Sequence, residues 1–596
     1  MMGSKAKDIE IKVCMGTGGI AAGGEEVLNT FEKLLSRADI QAKVDRNCAS
    51  HKVGCRGFCA RDVLVDVVID GQRTTYQYIK PDMVLRVIEE HIIGGNPVEE
   101  WKIQDDYRAF HGRQVKVVLS DCGEIDPEDI EAYIEGGGYG AARKALTGMT
   151  PEEVIDVVKR SGLRGRGGAG FPTGVKWEAA RKQPPGVKYI ICNADEGDPG
   201  AFMDRAITEG NPHSVLEGMI VAAYAVGAAE GYIYIRAEYG LAIERLRIAI
   251  DQAKAKNLLG KNIMGTGFDF DIKLKIGAGA FVCGEETALI ASIEGERGMP
   301  RAKPPFPVVS GLWRKPTVIN NVETLANVSY IIRRGADWFS SFGTEKSKGT
   351  KVFALTGKVK NTGLIEIPMG MSMRDIVFSI GGGIEGGRKF KAVQTGGPSG
   401  GCLPEHHLDV KVDYENLTRL GAIMGSGSMI VLDEDDCMVN VARYFLNFTQ
   451  MESCGKCVPC RIGTKRLYEV LDRITNGQGE ESDLDLLDKL SNDIKLGSLC
   501  GLGQTAPNPV LSTLKYFRHE YEAHILDKKC PAKVCKALIK FDILEAACKG
   551  CGACMRVCPA GSISGHKKAP HTINQDLCIK CGSCFDVCKF KAVLKE

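Results

Sequence analysis

The sequence has little net charge and no long apolar run. Its 77 basic and 75 acidic residues leave a formal charge of +2 over 596 residues, which gives no indication of a nucleic-acid or membrane-surface partner. The longest apolar stretch, residues 219–229, is far shorter than the ~20 residues of a membrane span. Residues 1–13 contain no apolar core of a secretory signal. These absences predict a soluble, cytoplasmic protein. The length of 596 residues predicts about three to five domains.

Cysteine, by contrast, is abundant, with 23 residues. In a reducing compartment thiols bind metal rather than form disulfides. Sixteen of the cysteines fall in three groups, before residue 60, between 454 and 500, and between 548 and 588. The isolated cysteines are interpreted as packing residues: Cys122, Cys192, Cys283, Cys402 and Cys437. The three groups predict metal sites at three places along the chain.

Glycine is concentrated in residues 162–177, GLRGRGGAGFPTGVKW, which contain G-x-G-x-x-G from Gly165 to Gly170. A dinucleotide fingerprint follows a strand, whereas Thr150 as N-cap and Pro151 at the first helical position predict a preceding helix. We therefore exclude an ordinary dinucleotide fold. The stretch is interpreted as a phosphate or flavin cradle, and a purely structural glycine turn is the alternative.

The stretch itself is basic, and strand-like segments precede and follow it in the sequence. Arg164, Arg166 and Lys176 supply anion-binding charge that a plain turn does not need. Residues 115–119 and 187–193 are each predicted to be strands. The second strand ends in Asn-Ala-Asp-Glu-Gly-Asp-Pro-Gly, at the end where α/β folds bind ligands. Residues 277–287 are predicted to open a helix, whose acidic residues Glu285 and Glu286 would stabilise its first turn even without a ligand.

Taken in order over residues 110–520, these motifs resemble the flavin-bearing, NADH-oxidising subunit of respiratory complex I. The resemblance implies FMN and NAD(H) as cofactors. Carried over position by position, the implied FMN contacts are Gly165, Arg166, Gly167, Lys176, Asn193, Asp195, Glu196, Gly284, Glu285, Asn320, Asn321 and Thr324. The implied nicotinamide-nucleotide contacts are Gly168, Phe171, Asp198, Glu286, Lys303 and Phe306. Phe281 stands where relatives often carry Tyr, and Asp198 stands where they often carry Glu, which leaves NAD and NADP open.

The first cysteine group lies between two predicted strands, at residues 9–13 and 64–69. It resembles the thioredoxin-like [2Fe–2S] ferredoxin domain, which usually has C-x4-C followed by C-x3-C. Cys55 and Cys59 match the second pair, but Gly19 replaces the partner of Cys14. The interpreted ligands are Cys14, Cys48, Cys55 and Cys59, and a degenerate domain without a cluster is the alternative.

The other two groups have iron–sulfur spacing. Three close thiolates and a distant fourth suit a [4Fe–4S] cluster, here Cys454, Cys457, Cys460 and Cys500, with a zinc site as the alternative. The last group repeats C-x2-C-x2-C-x3-C and resembles a bacterial two-cluster ferredoxin, in which the fourth cysteine of each run serves the other cluster. The ligand sets are then Cys548, Cys551, Cys554 and Cys588, and Cys558, Cys578, Cys581 and Cys584.

A zinc site is predicted between these two groups. Two histidines and two cysteines supply the ligand types of a tetrahedral site. His524, Cys530 and Cys535 are preferred over His519. The alternative is a helix end with surface histidines and two spare thiols.

The predicted fold is a multidomain assembly of α/β and α+β type. It comprises a thioredoxin-like [2Fe–2S] domain (1–105), an FMN- and NAD-binding α/β domain (106–340), a β-grasp module of the soluble ligand-binding type (341–434), a helical [4Fe–4S] domain (435–525), a linker (526–545) and a two-cluster ferredoxin tail (546–596). The cofactor prediction is FMN, NAD(H), three [4Fe–4S] clusters, one [2Fe–2S] cluster and zinc.

The arrangement of domains resembles the beta, or diaphorase, subunit of electron-bifurcating [FeFe]-hydrogenases. The resemblance implies exchange of electrons among NAD(H), ferredoxin and a catalytic [FeFe] partner, with a small thioredoxin-like [2Fe–2S] subunit alongside. No acid–base residue is predicted to be catalytic, because hydride transfer to a flavin needs none. The alternatives are the same module in an NAD(P)-dependent formate dehydrogenase and a non-catalytic electron-transfer hub.

Overall fold

The computed structural model describes residues 9–44, 46–103 and 105–596, which form two compact units. The first comprises the chain to residue 388 with residues 392–431 and 499–501, and the second comprises residues 389–391, 432–498 and 502–596. The predicted absence of a secretory signal rests partly on residues 1–8, which lie outside the described residues. Within the described ranges, no helix combines the length and apolarity needed to cross a bilayer.

The first sheet has four strands in the order β2-β1-β3-β4. They are β1 (Ile9–Cys14), β2 (Cys48–Val53), β3 (Val65–Ile69) and β4 (Gln72–Tyr76). β1 is parallel to β2 and antiparallel to β3. Ile9, Ile11 and Val13 are buried, as their alternation predicts for a strand with one face on the core. Both predicted strands are confirmed, and β2 is an addition that the sequence did not indicate.

The second sheet is wholly parallel, with the order β7-β6-β5-β8. Its strands are β5 (Tyr189–Ala194), β6 (Glu230–Arg236), β7 (Asp271–Gly277) and β8 (Thr317–Asn321). The helix Pro212–Val226, almost entirely buried, packs against this sheet, as parallel sheets require cover on their faces. The strand predicted at 187–193 is therefore confirmed.

The strand predicted at residues 115–119 is wrong. The backbone N–H groups of Val117, Val118 and Leu119 donate to the carboxylate of Glu366 at 2.8, 3.1 and 2.9 Å. Thr350 Oγ1 donates to the same buried carboxylate at 2.6 Å. An apolar run looks like a strand in sequence, but here a buried anion takes the amides that a sheet would have used.

A third sheet lies within the range predicted as the β-grasp module (341–434). Its five strands are β9 (Thr350–Gly357), β10 (Gly363–Pro368), β11 (Phe390–Thr395), β12 (Gly401–Pro404) and β13 (Ser428–Asp433). They lie in the order β10-β9-β13-β11-β12. β9 is antiparallel to β10 and parallel to β13.

Helices connect and cover these sheets. The helix predicted after Thr150 is confirmed, and Thr150 and Glu153 cap its start reciprocally. Helices before residue 431 are Thr17–Ala21, Gly24–Leu35, Ala38–Gln41, Val84–Arg86, Asp105–Gly112, Ile130–Glu135, Gly140–Gly148, Pro151–Arg160, Thr173–Arg181, Met203–Gly210, Pro212–Val226, Gly240–Ala255, Glu286–Ile293, Val322–Arg334, Ala336–Ser340 and Tyr414–Arg419.

The second unit is helical over residues 438–525, as predicted for 435–525, and then contains short strands. Its helices are Met438–Met451, Thr464–Thr475, Ser482–Gly497, Asn508–Tyr516, Arg518–Ile525, Ala553–Arg556 and Ser583–Val587, and Gly501–Thr505 begins at the last residue of the first unit. The strands β14 (Phe541–Ile543) and β17 (Val593–Lys595) pair with each other, as do β15 (Ile563–Ser564) and β16 (Thr572–Ile573).

Candidate functional sites

The carboxyl edge of the parallel sheet brings the predicted cofactor residues together. β5 and β8 are neighbours, with Asn193 opposite Asn321. The Asn193 Nδ2 donates to Gly284 O at 2.9 Å, and Asn193 Oδ1 accepts from the Asp195 N–H at 3.0 Å. Three predicted segments that are far apart in the sequence thus meet at one edge, where α/β folds bind ligands.

The glycine-rich stretch lies against this edge. A Cβ placed on Gly167 would be 3.0 Å from the Cβ of Asn321, and Gly168 adopts a φ of +121° with the backbone of Gly425 at 3.3 Å. Trp177, fully buried, donates from Nε1 to Asn320 Oδ1 at 2.9 Å. The glycines therefore permit close backbone approach, and the buried tryptophan orients the side chain of one predicted FMN contact.

The two arginines of the stretch do not offer their charge to a ligand, contrary to the sequence interpretation. The Arg166 guanidinium is buried and donates to three backbone carbonyls, those of Thr350, Lys348 and Arg164. Arg164 pairs with Glu415 at 2.6 Å. No sequence signal reveals this, because an arginine between glycines looks the same whether it binds phosphate or carbonyl groups. The Arg166 guanidinium is therefore engaged within the protein.

Several other predicted FMN contacts also have partners within the protein. Glu196 accepts from the N–H groups of Asp204 and Arg205, each at 3.1 Å. Thr324 Oγ1 accepts from the Arg166 N–H at 2.8 Å. Glu285 caps the helix Glu286–Ile293 by accepting from the Thr287 and Ala288 amides, so the helix-stabilising role considered for it is present. These residues set the shape of the pocket.

An ionic cluster lies beside these capped positions. Lys303 Nζ is 3.2 Å from Glu285 Oε1 and 3.0 Å from Glu286 Oε1. Lys176 Nζ is 4.0 Å from Glu286 Oε2 and donates to Ile319 O at 3.1 Å. Burial lowers the pKa of Lys176. The cluster combines two cations with two carboxylates, which suits a ligand that carries phosphate, hydroxyl and amide groups.

Exposed aromatic rings accompany the cluster. Phe171 is 51% exposed and its ring centroid lies 6.0 Å from Lys176 Nζ, and Phe306, three residues beyond Lys303, is 53% exposed. Large exposed rings beside charged groups suit stacking on a flat, polar ring system. The residues present therefore fit FMN and a nicotinamide nucleotide.

The third sheet supplies a wall that sequence reasoning missed. Ser426 Oγ donates to Asp198 Oδ2 at 2.6 Å, and Gly397 lies so close that an added Cβ would be 2.9 Å from Asp198 Cγ. Burial raises the pKa of Asp198 to about 6. Gly396 and Gly397, which follow β11, have positive φ, as turn glycines do, and Gly397 also borders a predicted nucleotide contact.

The helical iron–sulfur ligands follow the predicted spacing. Cys454, Cys457 and Cys460 lie in the segment that leads into the helix Thr464–Thr475. Ser453 Oγ is 3.2 Å from Cys460 Sγ, and a Cβ on Gly503 would be 3.1 Å from the Cβ of Cys460. The fourth predicted ligand, Cys500, belongs to the short segment 499–501 of the first unit.

The tail contains two cavities with exchanged ligands. One is lined by Cys548, Cys551, Cys554 and Cys588. The other is lined by Cys558, Cys578, Cys581 and Cys584. Each cavity takes three cysteines from one repeat and the last cysteine of the other, as the spacing predicts.

A compact set of metal-binding side chains lies in the helical region. His524, Cys530 and Cys535 come together as predicted, and the fourth member is Cys437; all four are buried, with ligand atoms within 4.8 Å of one another. Cys437 was interpreted as a packing residue, which is wrong: its Sγ is 3.3 Å from His524 Nε2. The 87 residues that separate it from His524 in the sequence hid it.

His524 is oriented for metal binding. Its Nε2 is 3.3 Å from Cys535 Sγ, and Nδ1 lies 2.7 Å from Glu520 O. A backbone carbonyl on Nδ1 fixes the tautomer that leaves Nε2 free to ligate. Three sulfurs and one imidazole nitrogen form a donor set typical of structural zinc.

The first domain does not bring its four predicted ligands together. Cys55 Sγ and Cys59 Sγ are 3.9 Å apart, and Cys14 is hydrogen-bonded to Cys55. Cys48, however, pairs with Ile9, whereas Cys14 pairs with Val53. Five residues of strand separate the two cysteines by about 16 Å, so Cys48 cannot share a cluster with Cys14, and its assignment is wrong.

Comparison with family models gives three matches. Residues 158–330 match the Nuo51 FMN-binding domain, residues 440–524 match the NADH-ubiquinone oxidoreductase-F iron-sulfur binding region, and residues 540–589 match the 4Fe-4S dicluster domain. The first two ranges cover most of the predicted flavin and [4Fe–4S] residues, and the third covers the tail.

Similar proteins extend over most of the chain. The NADP-reducing hydrogenase subunit HndC of Solidesulfovibrio fructosivorans is 63% identical over 81% of this chain and 98% of its own length. An NADH-quinone oxidoreductase subunit of Rhizobium meliloti is 48% identical over 70% of this chain and 99% of its own. Among solved structures, a chain of the NAD+-reducing [NiFe]-hydrogenase in the H2-reduced state has a TM-score of 0.62 at 30% identity, covering 87% of this chain and 84% of that one.

Proposed function

Because the chain belongs to the family of FMN-binding, iron–sulfur NADH dehydrogenase subunits that includes HndC and the NADH-binding subunits of NADH-quinone oxidoreductases, we propose that it is the diaphorase subunit of an electron-bifurcating [FeFe]-hydrogenase. In this role it exchanges electrons between NAD(H), ferredoxin and a catalytic hydrogenase partner, in the cytoplasm. A small thioredoxin-like [2Fe–2S] subunit completes the proposed assembly.

The observation that carries the NAD(H) half of the proposal is the convergence at the parallel sheet. Asn193, Asn321 and Gly284 meet there, beside the Lys176–Glu286–Lys303 cluster. FMN held at this edge would supply the conversion between the two-electron chemistry of NADH and the one-electron chemistry of iron–sulfur clusters.

The protein's own contribution is positioning. Backbone groups of the glycine stretch and the side chains of Asn193 and Asn320 would hold FMN at the sheet edge, with Trp177 orienting Asn320. Phe171 and Phe306 would offer their exposed rings to the nicotinamide nucleotide, and Lys303 balances the charge of Glu285 and Glu286. No side chain is required to move a proton in the hydride step, so none is assigned a catalytic role.

The iron–sulfur ligands extend the route for electrons. Cys454, Cys457, Cys460 and Cys500 would hold a [4Fe–4S] cluster, and the cysteines of the two tail cavities would hold two more. Such clusters would supply one-electron carriers between the flavin site and ferredoxin. The hydrogenase half is supported by the likeness to HndC, which is named as a subunit of an NADP-reducing hydrogenase, and to a chain of an NAD+-reducing [NiFe]-hydrogenase.

The buried Cys437–His524–Cys530–Cys535 set is proposed to bind zinc as a structural staple. It lies in the same hydrophobic cluster as the helices of residues 439–525. Closed four-coordinate sites of this composition stabilise a fold rather than catalyse.

The test is an inventory of the natively purified complex. We expect one FMN, one zinc and about fourteen irons on this chain, NADH-dependent dye reduction, and a partner that carries an [FeFe] cluster. Molybdenum or tungsten in the partner would instead assign the same module to a formate dehydrogenase. Absence of FMN and of dye reduction would leave only the electron-transfer hub.

A further inference from the structure

The three cysteines that converge in the first domain share their site with a carboxylate. Asp62 follows Cys59 by three residues and interacts electrostatically with the thiols of Cys14 and Cys55. Cys14 is buried, and Asp62 is half-buried. Thus β1 and the loop before β3 bring three sulfurs and one carboxylate to one place.

A glycine turn frames this place from the other side. A Cβ built on Gly16 would be 2.7 Å from the Cβ of Cys55, one on Gly18 would be 3.0 Å from Asp62 Oδ2, and one on Gly19 would be 3.2 Å from Cys14 Sγ. Side chains are thus excluded from the turn where Cys14, Cys55 and Asp62 face it. The glycine turn therefore packs directly against the side chains of Cys14, Cys55 and Asp62.

Cys55 Sγ and Cys59 Sγ, 3.9 Å apart, are suitably spaced to bind the same iron atom. Cys14 interacts with both Cys55 and Asp62, so Cys14 and Asp62 remain beside this pair as the two candidate ligands of a second iron. A [2Fe–2S] core needs two ligands on each iron, and such clusters accept ligands other than cysteine on one of their irons.

We propose that the first domain holds a [2Fe–2S] cluster through Cys14, Cys55, Cys59 and the carboxylate of Asp62. The inference rests on the proposed presence of a cluster in this domain, and replaces Cys48 by a residue that the fold places at the site. It explains how a chain with Gly19 in the second cysteine position retains four ligands. Carboxylate oxygen is an established ligand of iron in proteins.

The test uses the full chain, with iron content and the electron paramagnetic resonance (EPR) spectrum of the dithionite-reduced protein. The wild type is expected to hold about fourteen irons and to show a [2Fe–2S] signal beside the [4Fe–4S] signals. Asp62→Ala should lower the iron to about twelve and remove only the [2Fe–2S] signal. Asp62→Cys should keep about fourteen irons and shift that signal, because a sulfur ligand donates more electron density than oxygen.

Cys48→Ser is the matched control and should change neither iron content nor spectrum. About twelve irons in the wild type, a signal unaltered in both Asp62 variants, or loss of the cluster in Cys48→Ser would each overturn the assignment. NADH-dependent dye reduction is measured on the same samples. A wild type that shows the [2Fe–2S] signal but no NADH-dependent dye reduction would refute the proposed function and leave the role of Asp62 unaffected.

Discussion

Cysteine spacing predicts which cysteines come together in the tail of the chain, but not in the first domain. In the tail, eight cysteines in two repeats line two cavities, and even the exchange of Cys558 and Cys588 between cavities follows from the spacing. In the first domain, four cysteines before residue 60 look like another ligand set, yet Cys48 lies at the far end of β1 from Cys14. Short-range spacing is reliable only where every ligand belongs to the repeat.

The reason is geometric. Within a repeat such as C-x2-C-x2-C, the local turn itself places the sulfurs, so few alternatives exist. A ligand outside such a repeat is placed by strand register or helix packing. Strands advance about 3.3 Å per residue, so a cysteine on a paired strand can be near or far with no change in composition.

The largest effect is expected from replacing a tail cysteine that one repeat contributes to the cavity of the other. Cys588→Ser should lose the cluster in the cavity of Cys548, Cys551 and Cys554, lowering iron by about four per chain, since the variant leaves that cluster one thiolate short. Iron content and EPR spectra measure this. Electron transfer from NADH to ferredoxin should fall by about two orders of magnitude or more, while dye reduction at the flavin is unchanged. Loss from the other cavity instead would show that the cysteines do not exchange.

The next effect concerns a remote ligand that the sequence hid. Cys437→Ser should remove zinc and lower the free energy of unfolding of the helical region by about 3–5 kcal/mol, because closed zinc sites contribute directly to folding. Zinc content and thermal unfolding are the measurements. Cys402→Ser, another buried cysteine outside the metal sets, is the control. Full zinc occupancy in Cys437→Ser would mean that three ligands suffice.

The flavin pocket combines both cases. Its glycine-rich motif is local in the sequence, but the groups that contact the motif are remote in the sequence. Lys176→Met keeps the length of the side chain and removes the charge beside Glu286. We expect NADH oxidation to fall by about 10- to 100-fold, the range of one charge-assisted hydrogen bond. Iron content should stay constant. A parallel loss of iron would make Lys176 a folding residue rather than a site residue.

The ligand set of the first domain can also be tested by adding a cysteine at residue 19, where the ferredoxin domain usually has one. On spacing alone, Gly19→Cys should repair the cluster site. The structure predicts the reverse, because a Cβ at this position would lie 2.2 Å from Cys14 O. We expect a loss of about 1–3 kcal/mol of stability from overpacking and no gain in iron, measured by denaturant unfolding and iron analysis. A stable Gly19→Cys protein with Asp62 no longer needed for the cluster would contradict this.

The last prediction is a pH dependence of stability that arises from Asp198, the predicted nucleotide contact beside Ser426 and Gly397. Burial raises the pKa of Asp198 to about 6, so its contribution to stability is full at low pH and is lost as the pH rises through about 6. Asp198→Asn cannot ionise. Its stability relative to the wild type should therefore rise between pH 4 and about 6, by about 1–3 kcal/mol, and then stay constant. Urea unfolding at several pH values gives the difference. Parallel curves would show that Asp198 does not titrate there.

Asp198→Asn also addresses the choice of nucleotide. Removing a carboxylate from the nucleotide wall should raise the ratio of NADPH to NADH oxidation rates above pH 6, because the 2′-phosphate then meets less negative charge. An unchanged ratio would place the ribose phosphate away from Asp198.

The sequence by itself determined the parts of this protein in which chemistry is local. The helix cap at Thr150 and Glu153, the strand that ends at Asn193 and the cysteine repeats of the tail each depend on neighbours within a few residues, and each was predicted. The list of segments expected to form the flavin and nucleotide pocket came from the resemblance of their motifs to the flavin-bearing subunit of complex I.

Tertiary structure decided which side chains are free to act. It turned Arg166 inward onto backbone carbonyls, used the amides of residues 117–119 to hold Glu366, brought Cys437 to His524 across 87 residues, and separated Cys48 from Cys14 by the register of β1 and β2. Composition and spacing are the same whichever partner a group finds. Only packing distinguishes them, because burial forces each polar group to take the partner that the fold places within reach.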